Sequence, residues 1–117
     1  MRKSDEWDAL YQSLSPDGQY IMERLLIEWA DMFMLKNLSY GSDANRLGVK
    51  GAFVDIHRKE GKLKRAIWDG QKLEGEQPRE ILMDLIGHCF LTITAIDREA
   101  LGENDTPLFD ATLEATD

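Results

Sequence analysis

Residues 78–97, PREILMDLIGHCFLTITAID, form the most apolar stretch of this 117-residue chain. Pro78 suits the first turn of a helix, where its missing N–H costs no hydrogen bond. Beyond it, apolar side chains occupy almost every direction around a helical wheel, which is typical of a helix surrounded by other helices. The stretch therefore predicts the central helix of an all-α bundle. Cys89, the single cysteine, is expected to be a small core residue within it.

A line of polar residues interrupts this apolar helix at a spacing of four: Glu80, Asp84, His88 and Thr92. Residues four apart share one face of a helix. A carboxylate buried without a partner is costly, so a cation must lie near Asp84. Three candidates are open: a Lys or Arg from a neighbouring helix, His88 one turn later, or a divalent metal ion.

The rest of the chain also has helical patterns. Residues 4–13 form a short amphipathic segment, and Ser15-Pro16-Asp17 is a start signal for a helix over residues 16–37. Helical patterns return at residues 49–68 and 78–100, on either side of a polar loop. The sequence thus predicts a bundle of three to five helices in a single domain, residues 1–101, followed by an acidic tail, residues 102–117.

Charge is unevenly distributed along the chain. The net charge of −8 argues against general nucleic-acid binding. Yet seven of the 14 basic residues fall between positions 46 and 65, whereas residues 99–117 hold six acids and no base. A local cationic segment in an acidic protein suits a small anionic ligand. The alternative is a solvated helix face with i,i+4 pairs such as Asp55–Lys59.

Acids on two predicted helices suggest a metal site. Glu28 borders the core stripe of apolar residues on the helix at residues 16–37, and Asp31 follows on the same side. Carboxylates that project inward from facing helices commonly build oxygen-ligated metal sites in bundles. Mg²⁺ prefers such ligands and is often shared with substrate phosphates, which nearby lysines would neutralise. Pairing of Glu28 with Arg24 four positions earlier is the alternative.

Other functional classes find no support in the sequence. Nucleophile-elbow, phosphate-loop and zinc-ligand motifs are absent. Asp84, Gly87 and His88 interrupt the best candidate for a membrane span, and residues 1–10 lack the apolar core of a secretory signal. We therefore expect a cytoplasmic protein that does not associate with membranes.

Four short motifs resemble a known family: Lys36-Asn37-x-x-Tyr40-Gly41, Gly48-x-x-Gly51, Lys59-x-x-Lys62-Leu63 and Glu80-x-x-x-Asp84-Leu85. Together they are similar to the nucleotide modification associated domain family, which is common in phages and has been compared with the MazG-like all-α nucleotide pyrophosphohydrolases. The similarity covers roughly positions 28–97. It implies an all-α, oligomeric, Mg²⁺-dependent enzyme that hydrolyses (deoxy)nucleoside triphosphates to monophosphate and pyrophosphate.

The resemblance also implies roles for individual residues. Glu28, Asp31, Glu80 and Asp84 would be the catalytic acids that hold Mg²⁺, with Mn²⁺ as a possible substitute. The lysines Lys59 and Lys62, and more weakly Lys36, would contact the phosphates. Asn37 and Tyr40 would lie near the base or shape the loop around it. The alternative function is a non-catalytic phage module of the same fold that binds a nucleotide or a host protein.

Apolar surface predicts self-association independently of the family. Beyond its core stripe, the helix at residues 16–37 carries further apolar side chains, at Leu26, Ile27, Met34 and Leu35. Three helices cannot cover these and all sides of the central helix, and monomers rarely expose large apolar patches. We therefore expect a homodimer or homotetramer, with a twofold interface as its commonest form.

Overall fold

The computed structural model of the protein describes residues 4–40 and 48–102, and every element in those ranges is helical. The α-helices are α1 (Ser4–Gln12), α2 (Pro16–Tyr20), α3 (Leu26–Tyr40), α4 (Gly48–Leu63) and α5 (Pro78–Leu101). The prediction of an all-α protein is confirmed. The chain divides into two compact units, Met1–Ser39 and Tyr40–Asp117, which are described separately. The predicted acidic tail lies outside the described residues after Gly102.

In the first unit, the predicted helix start at Ser15 is confirmed. The backbone of Ser15 is extended, and its hydroxyl oxygen accepts a 3.1 Å hydrogen bond from the Gly18 N–H. This bond satisfies one of the backbone donors that a first helical turn leaves unpaired, and Pro16 occupies that turn without losing a bond. The helix then continues to Tyr40, three residues beyond the predicted end.

A π-helical segment, Ile21–Leu25, joins α2 to α3. Within it the Leu26 N–H donates to the carbonyl of Ile21, five residues earlier, instead of the usual four. Beside this segment the Tyr11 hydroxyl of α1 donates a 2.9 Å hydrogen bond to Glu23. That bond, followed by desolvation and the charge of Glu23, raises the pKa of Tyr11 above its ordinary value. The bond ties α1 to the helix that follows it.

The predicted core stripe of this helix, which starts just before α3 and runs along it, is half-buried at Leu25, Trp29, Met32, Phe33 and Lys36. The rings of Trp29 and Phe33 stack with their centroids 5.1 Å apart, an arrangement that adds to the burial of both side chains. Ile21, which the sequence predicts on the same stripe, is exposed. The first unit is therefore organised by one aromatic pair and one helix cap.

In the second unit, α4 and α5 pack side by side and antiparallel. Asp55 of α4 lies near His88 of α5, and Lys59, one turn later on α4, contacts Asp84, one turn earlier on α5. A second π-helical segment, Lys64–Trp68, extends α4. The buried residues of this unit lie on the two helices: Ala52, Lys59, Ile81, Met83, Gly87 and Ala95. Several have small side chains, which suits close approach of two helix backbones.

Two residues fix the ends of α5. Pro78 occupies the first turn after Gln77, whose backbone is extended, so the predicted start is confirmed. At the other end Gly102 has φ +81°, a left-handed conformation that L side chains rarely adopt, and its N–H donates to the carbonyl of Glu99 at 3.0 Å. Glycine at this position ends the helix because the chain must turn away there.

The surroundings of α5 differ from the sequence prediction. Its side toward α4 is buried, but the opposite side exposes large apolar side chains, including Leu82, Ile86 and Ile93. Cys89 lies on that side and is exposed, so its prediction as a core residue is wrong. An amino-acid pattern that is apolar all round cannot tell which side a neighbour covers. Within residues 4–40 and 48–102, no helix combines the length and apolar character that a membrane crossing needs.

Candidate functional site

Polar residues line the contact between α4 and α5. On α4, Asp55, Lys59 and Lys62 are spaced by four and three, which places them on one face. On α5, Asp84 and His88 are one turn apart on the face toward α4. Because the helices are antiparallel, the two rows meet in reverse order. We call this group the polar seam: Asp55, Lys59, Lys62, Glu76, Asp84 and His88.

The centre of the polar seam is the pair formed by Lys59 and Asp84. The Lys59 ammonium lies 2.8 Å from an Asp84 carboxylate oxygen. Lys59 is only 5% exposed, whereas the Asp84 side chain keeps 25% of its surface in solvent. Of the three cations that the sequence allowed for Asp84, the structure shows the lysine from a neighbouring helix. The burial of an ammonium group is tolerated here because a carboxylate meets it.

This pairing joins two residues to which the family resemblance assigns separate roles, Lys59 as a phosphate contact and Asp84 as a metal ligand. It also differs from the alternative of a solvated helix face, in which Lys59 would pair with Asp55 four positions earlier. Asp55 instead lies 3.6 Å from Arg58 and 3.9 Å from His88. The cationic side of α4 is thus turned toward α5 at Lys59, where burial strengthens electrostatic interactions.

One end of the polar seam is closed by Glu76, which the sequence analysis did not single out. The Lys62 ammonium lies 3.0 Å from one Glu76 carboxylate oxygen and 3.3 Å from the other. The hydrogen bond from Lys62 lowers the pKa of Glu76 against an opposing effect of desolvation, and the charges of Lys62 and Lys59 lower it further. The position of an acid just before Pro78, at the start of α5, is the signal that could have identified it.

His88 occupies the other end of the polar seam. Burial lowers the pKa of His88, because desolvation disfavours the charged imidazolium, although the negative charges of Asp55 and Asp84 oppose this effect. The imidazole is therefore mainly neutral at pH 7. Thr92, one turn later, donates a 2.7 Å hydrogen bond to the backbone carbonyl of His88. Two members of the predicted polar line, Asp84 and His88, thus face α4, where Asp84 meets Lys59 and His88 lies beside Asp55.

The remaining predicted site residues are distributed between the two units. Glu28, Asp31, Lys36 and Asn37 all lie on α3, and Tyr40 is its last residue. Glu28, Asp31 and Asn37 have exposed side chains, and Lys36 is half-buried. Glu80 is exposed in the first turn of α5, one turn before Asp84. Of the predicted set, the structure joins Lys59 directly to Asp84.

The arrangement of the acidic side chains bears on the predicted metal site. Among the residues that the structure describes, no group of three or more His, Cys, Asp or Glu side chains is arranged to hold a metal ion. The two predicted acids of α5, Glu80 and Asp84, are one turn apart, and Asp84 is paired with Lys59. Mg²⁺ is commonly bound by one or two carboxylates together with water and substrate phosphates. Both acids are therefore of the donor type that Mg²⁺ takes, and metal binding stays a prediction.

On the other side of α5 lies an apolar groove of about 260 Å³. Its lining comes entirely from α5: Leu82, Leu85, Ile86, Cys89, Phe90 and Ile93. The helix thus separates two surfaces of different chemistry, the polar seam toward α4 and an apolar face away from it. Comparisons with family models, curated proteins and solved structures find no match for this chain.

Proposed function

We propose that the protein is a metal-dependent nucleotide pyrophosphohydrolase of the MazG-like type, which converts (deoxy)nucleoside triphosphates to monophosphate and pyrophosphate. The observation that supports this proposal is the polar seam, where the carboxylate of Asp84 and the ammonium groups of Lys59 and Lys62 lie along one helix contact. A Mg²⁺–triphosphate complex needs both kinds of group, carboxylates for the metal and cations for the phosphates.

In this proposal four acids hold Mg²⁺, or Mn²⁺ in its place: Glu28, Asp31, Glu80 and Asp84. The metal, when bound, would polarise a phosphoryl oxygen and lower the pKa of the attacking water. Lys59, Lys62 and, more weakly, Lys36 neutralise the phosphates. Asn37 and Tyr40 lie near the base.

The ion pair between Lys59 and Asp84 gives the proposal a specific requirement. While Lys59 neutralises Asp84, neither group is available to its proposed ligand. Binding of a Mg²⁺–nucleotide complex would offer each group a new partner of opposite charge, the metal for Asp84 and a phosphate for Lys59. The ion pair would then hold the substrate-free state, and the exchange of partners would accompany binding.

Pyrophosphate release from a panel of dNTPs and NTPs with Mg²⁺ tests the proposal. We expect release from at least one nucleotide by the full chain, and its loss in Asp84→Asn. Asp69→Asn is a matched control, because Asp69 also pairs with a lysine, Lys64 at 3.3 Å, but outside the polar seam. It should keep full activity. Absence of release from every nucleotide, or equal activity of Asp84→Asn and the wild type, would contradict the proposal.

A second candidate is a non-catalytic helical module that binds a nucleotide or a host protein. The apolar groove on α5 favours it, because an exposed apolar face is typical of a protein-binding surface. Nucleotide binding without turnover in the same panel would support this candidate over the enzyme. In either case we propose a cytoplasmic protein that assembles as a homodimer or homotetramer.

A further inference from the structure

The exposed side of α5 has a regular spacing that a chance apolar patch would lack. Six positions alternate in steps of four and three residues: Leu82, Ile86, Cys89, Ile93, Ile96 and Ala100. This is the a/d spacing of a coiled coil, sustained over three heptads and roughly 27 Å of helix. All six side chains are exposed, and the four Leu and Ile residues among them are 42–51% exposed. We call these six residues the apolar stripe.

The apolar stripe lies opposite the side of α5 that packs on α4. At 100° per residue, Leu82, Cys89 and Ile93 point in nearly the same direction, whereas Asp84 and His88 point roughly the other way. The stripe contains no charged residue, and Phe90, 46% exposed, widens it on one side. A helix that buries one face in its own unit and presents a heptad seam on the other is suited to pair with a second helix.

We propose that α5 pairs with α5 of a second copy of this chain, as an antiparallel two-stranded coiled coil formed by the apolar stripe. This inference rests on the self-association proposed above and does not depend on nucleotide hydrolysis. A twofold axis near Leu91 pairs every stripe residue with another: Leu82 with the partner's Ala100, Ile86 with the partner's Ile96, and Cys89 with the partner's Ile93.

Side-chain volume favours the antiparallel arrangement. In a parallel pair, each residue would meet its own copy, so Cys89 and Ala100 would each form a layer of two small side chains. Such layers leave voids, which cost stability. In the antiparallel arrangement the smallest residue, Ala100, meets a leucine and Cys89 meets an isoleucine. Each small residue then meets a large one, and the remaining layer pairs two isoleucines.

Charge favours the same orientation. The end of α5 lies at the negative end of the helix dipole and carries Asp97, Arg98 and Glu99. A parallel pair would bring two such ends together. An antiparallel pair instead places each of these ends beside the first turn of the partner helix, which is the positive end of the dipole and carries Arg79 and Glu80. The helix dipoles therefore favour the antiparallel arrangement, as the sizes of the stripe residues do.

The mass of the protein in solution provides the first test. Light scattering should give at least twice the 13.4 kDa of the chain. Ile93→Glu should halve the mass measured by light scattering, while far-UV circular dichroism should show that the helices remain. The matched control is Val54→Glu, which changes an equally exposed aliphatic residue of α4 and should leave the mass unchanged. A wild-type monomer, or an Ile93→Glu variant that keeps the wild-type mass, would overturn the inference; the latter would leave self-association itself standing.

Disulfide formation tests the orientation. Two variants are made in a Cys89→Ser background, one with Leu82→Cys and the other with Ala100→Cys. The antiparallel pair places these positions together only between different variants, so mild oxidation with diamide should crosslink their mixture. Each variant alone should remain uncrosslinked, because the cysteines of its two identical chains would lie roughly 27 Å apart along the helix pair. Crosslinking of either variant alone, or failure of the mixture to crosslink, would overturn the antiparallel arrangement.

Discussion

Replacing Lys59 by methionine tests how strongly the ion pair at the centre of the polar seam holds α4 against α5. Methionine keeps an unbranched apolar side chain of similar length, so the change removes the ammonium with little loss of packing. The Asp84 carboxylate would remain in a site that is three-quarters shielded from solvent. Its charge would no longer be neutralised by the cation 2.8 Å away.

The expected loss of stability follows from the burial of the two partners. Removing one member of a fully buried ion pair typically costs 3–5 kcal/mol, while an exposed pair contributes at most about 1 kcal/mol. Lys59 is almost completely buried, but Asp84 is partly solvated. We therefore expect Lys59→Met to lower the free energy of unfolding by about 2–3 kcal/mol, between these limits.

Lys62→Met is the matched control, because the pair between Lys62 and Glu76 has similar geometry but both partners are 25–34% exposed. It should cost less than about 1 kcal/mol. Urea unfolding followed by far-UV circular dichroism measures the difference, and the midpoint of Lys59→Met should fall by about 1–2 M. Lys59→Met/Asp84→Leu should recover much of the loss, because an apolar pair needs no mutual neutralisation. Equal losses for Lys59→Met and Lys62→Met would refute the reasoning.

Three further predictions follow from other parts of the structure. Lowering the pH from 7.5 to 5 should decrease the melting temperature. Burial lowers the pKa of His88, so the unfolded chain binds a proton more readily than the folded chain below about pH 6.5. His88→Gln should flatten this pH dependence, whereas His57→Gln, at an exposed position, should not. The pKa of Glu76 is lowered from its ordinary value of 4.5, so protonation of Glu76 changes the stability only at pH values below the interval from 7.5 to 5. Ser15→Ala should lower the free energy of unfolding by about 1 kcal/mol, measured by urea unfolding, because it removes the cap on the Gly18 N–H. Ser15→Asn, which keeps a capping oxygen, serves as the control, and equal costs would contradict the assignment. Mg²⁺ or Mn²⁺ with a nucleotide at 100 times its Kd should stabilise the folded chain by about 2.7 kcal/mol in thermal denaturation; an equal gain in Asp84→Asn would show that Asp84 does not bind the metal.

The helix starts could be predicted because they depend on local chemistry. Ser15-Pro16 and Pro78 act within one turn, and both starts agree with the structure. The π-helical segments carried no such local signal. α3 also extends to Tyr40, three residues beyond the predicted end, because no glycine or proline occurs in the sequence between position 37 and Gly41.

The need for a cation at Asp84 was predictable, but the identity of the cation was not. Seven basic residues lie between positions 46 and 65, and His88 was a further candidate. The choice of Lys59 depends on how far α4 slides along α5, which is set by packing over the whole helix contact. The row of Asp55, Lys59 and Lys62 on α4 carried a usable signal, because its charges complement Asp84 and His88 when read in the antiparallel direction.

The exposure of Cys89 illustrates a different limit. A helix that is apolar on nearly all sides specifies that neighbours are needed, but it does not specify which neighbour covers which side. In the structure α4 covers the side that contains Ile81 and Ala95, and Cys89 faces away. The four acids of the proposed metal site show the same limit, since they belong to two units and stay a prediction.

We propose above that this protein cleaves a nucleoside triphosphate between its α- and β-phosphates. A ³¹P NMR time course of the full chain with mixed dNTPs and Mg²⁺ tests this proposal most directly. We expect the β-phosphate resonance of at least one nucleotide to disappear while pyrophosphate and nucleoside monophosphate form in equimolar amounts, so that the pyrophosphate resonance grows with twice the intensity of the monophosphate resonance. Asp84→Asn should show neither product. Unchanged spectra, or the appearance of orthophosphate and nucleoside diphosphate instead, would contradict the proposal.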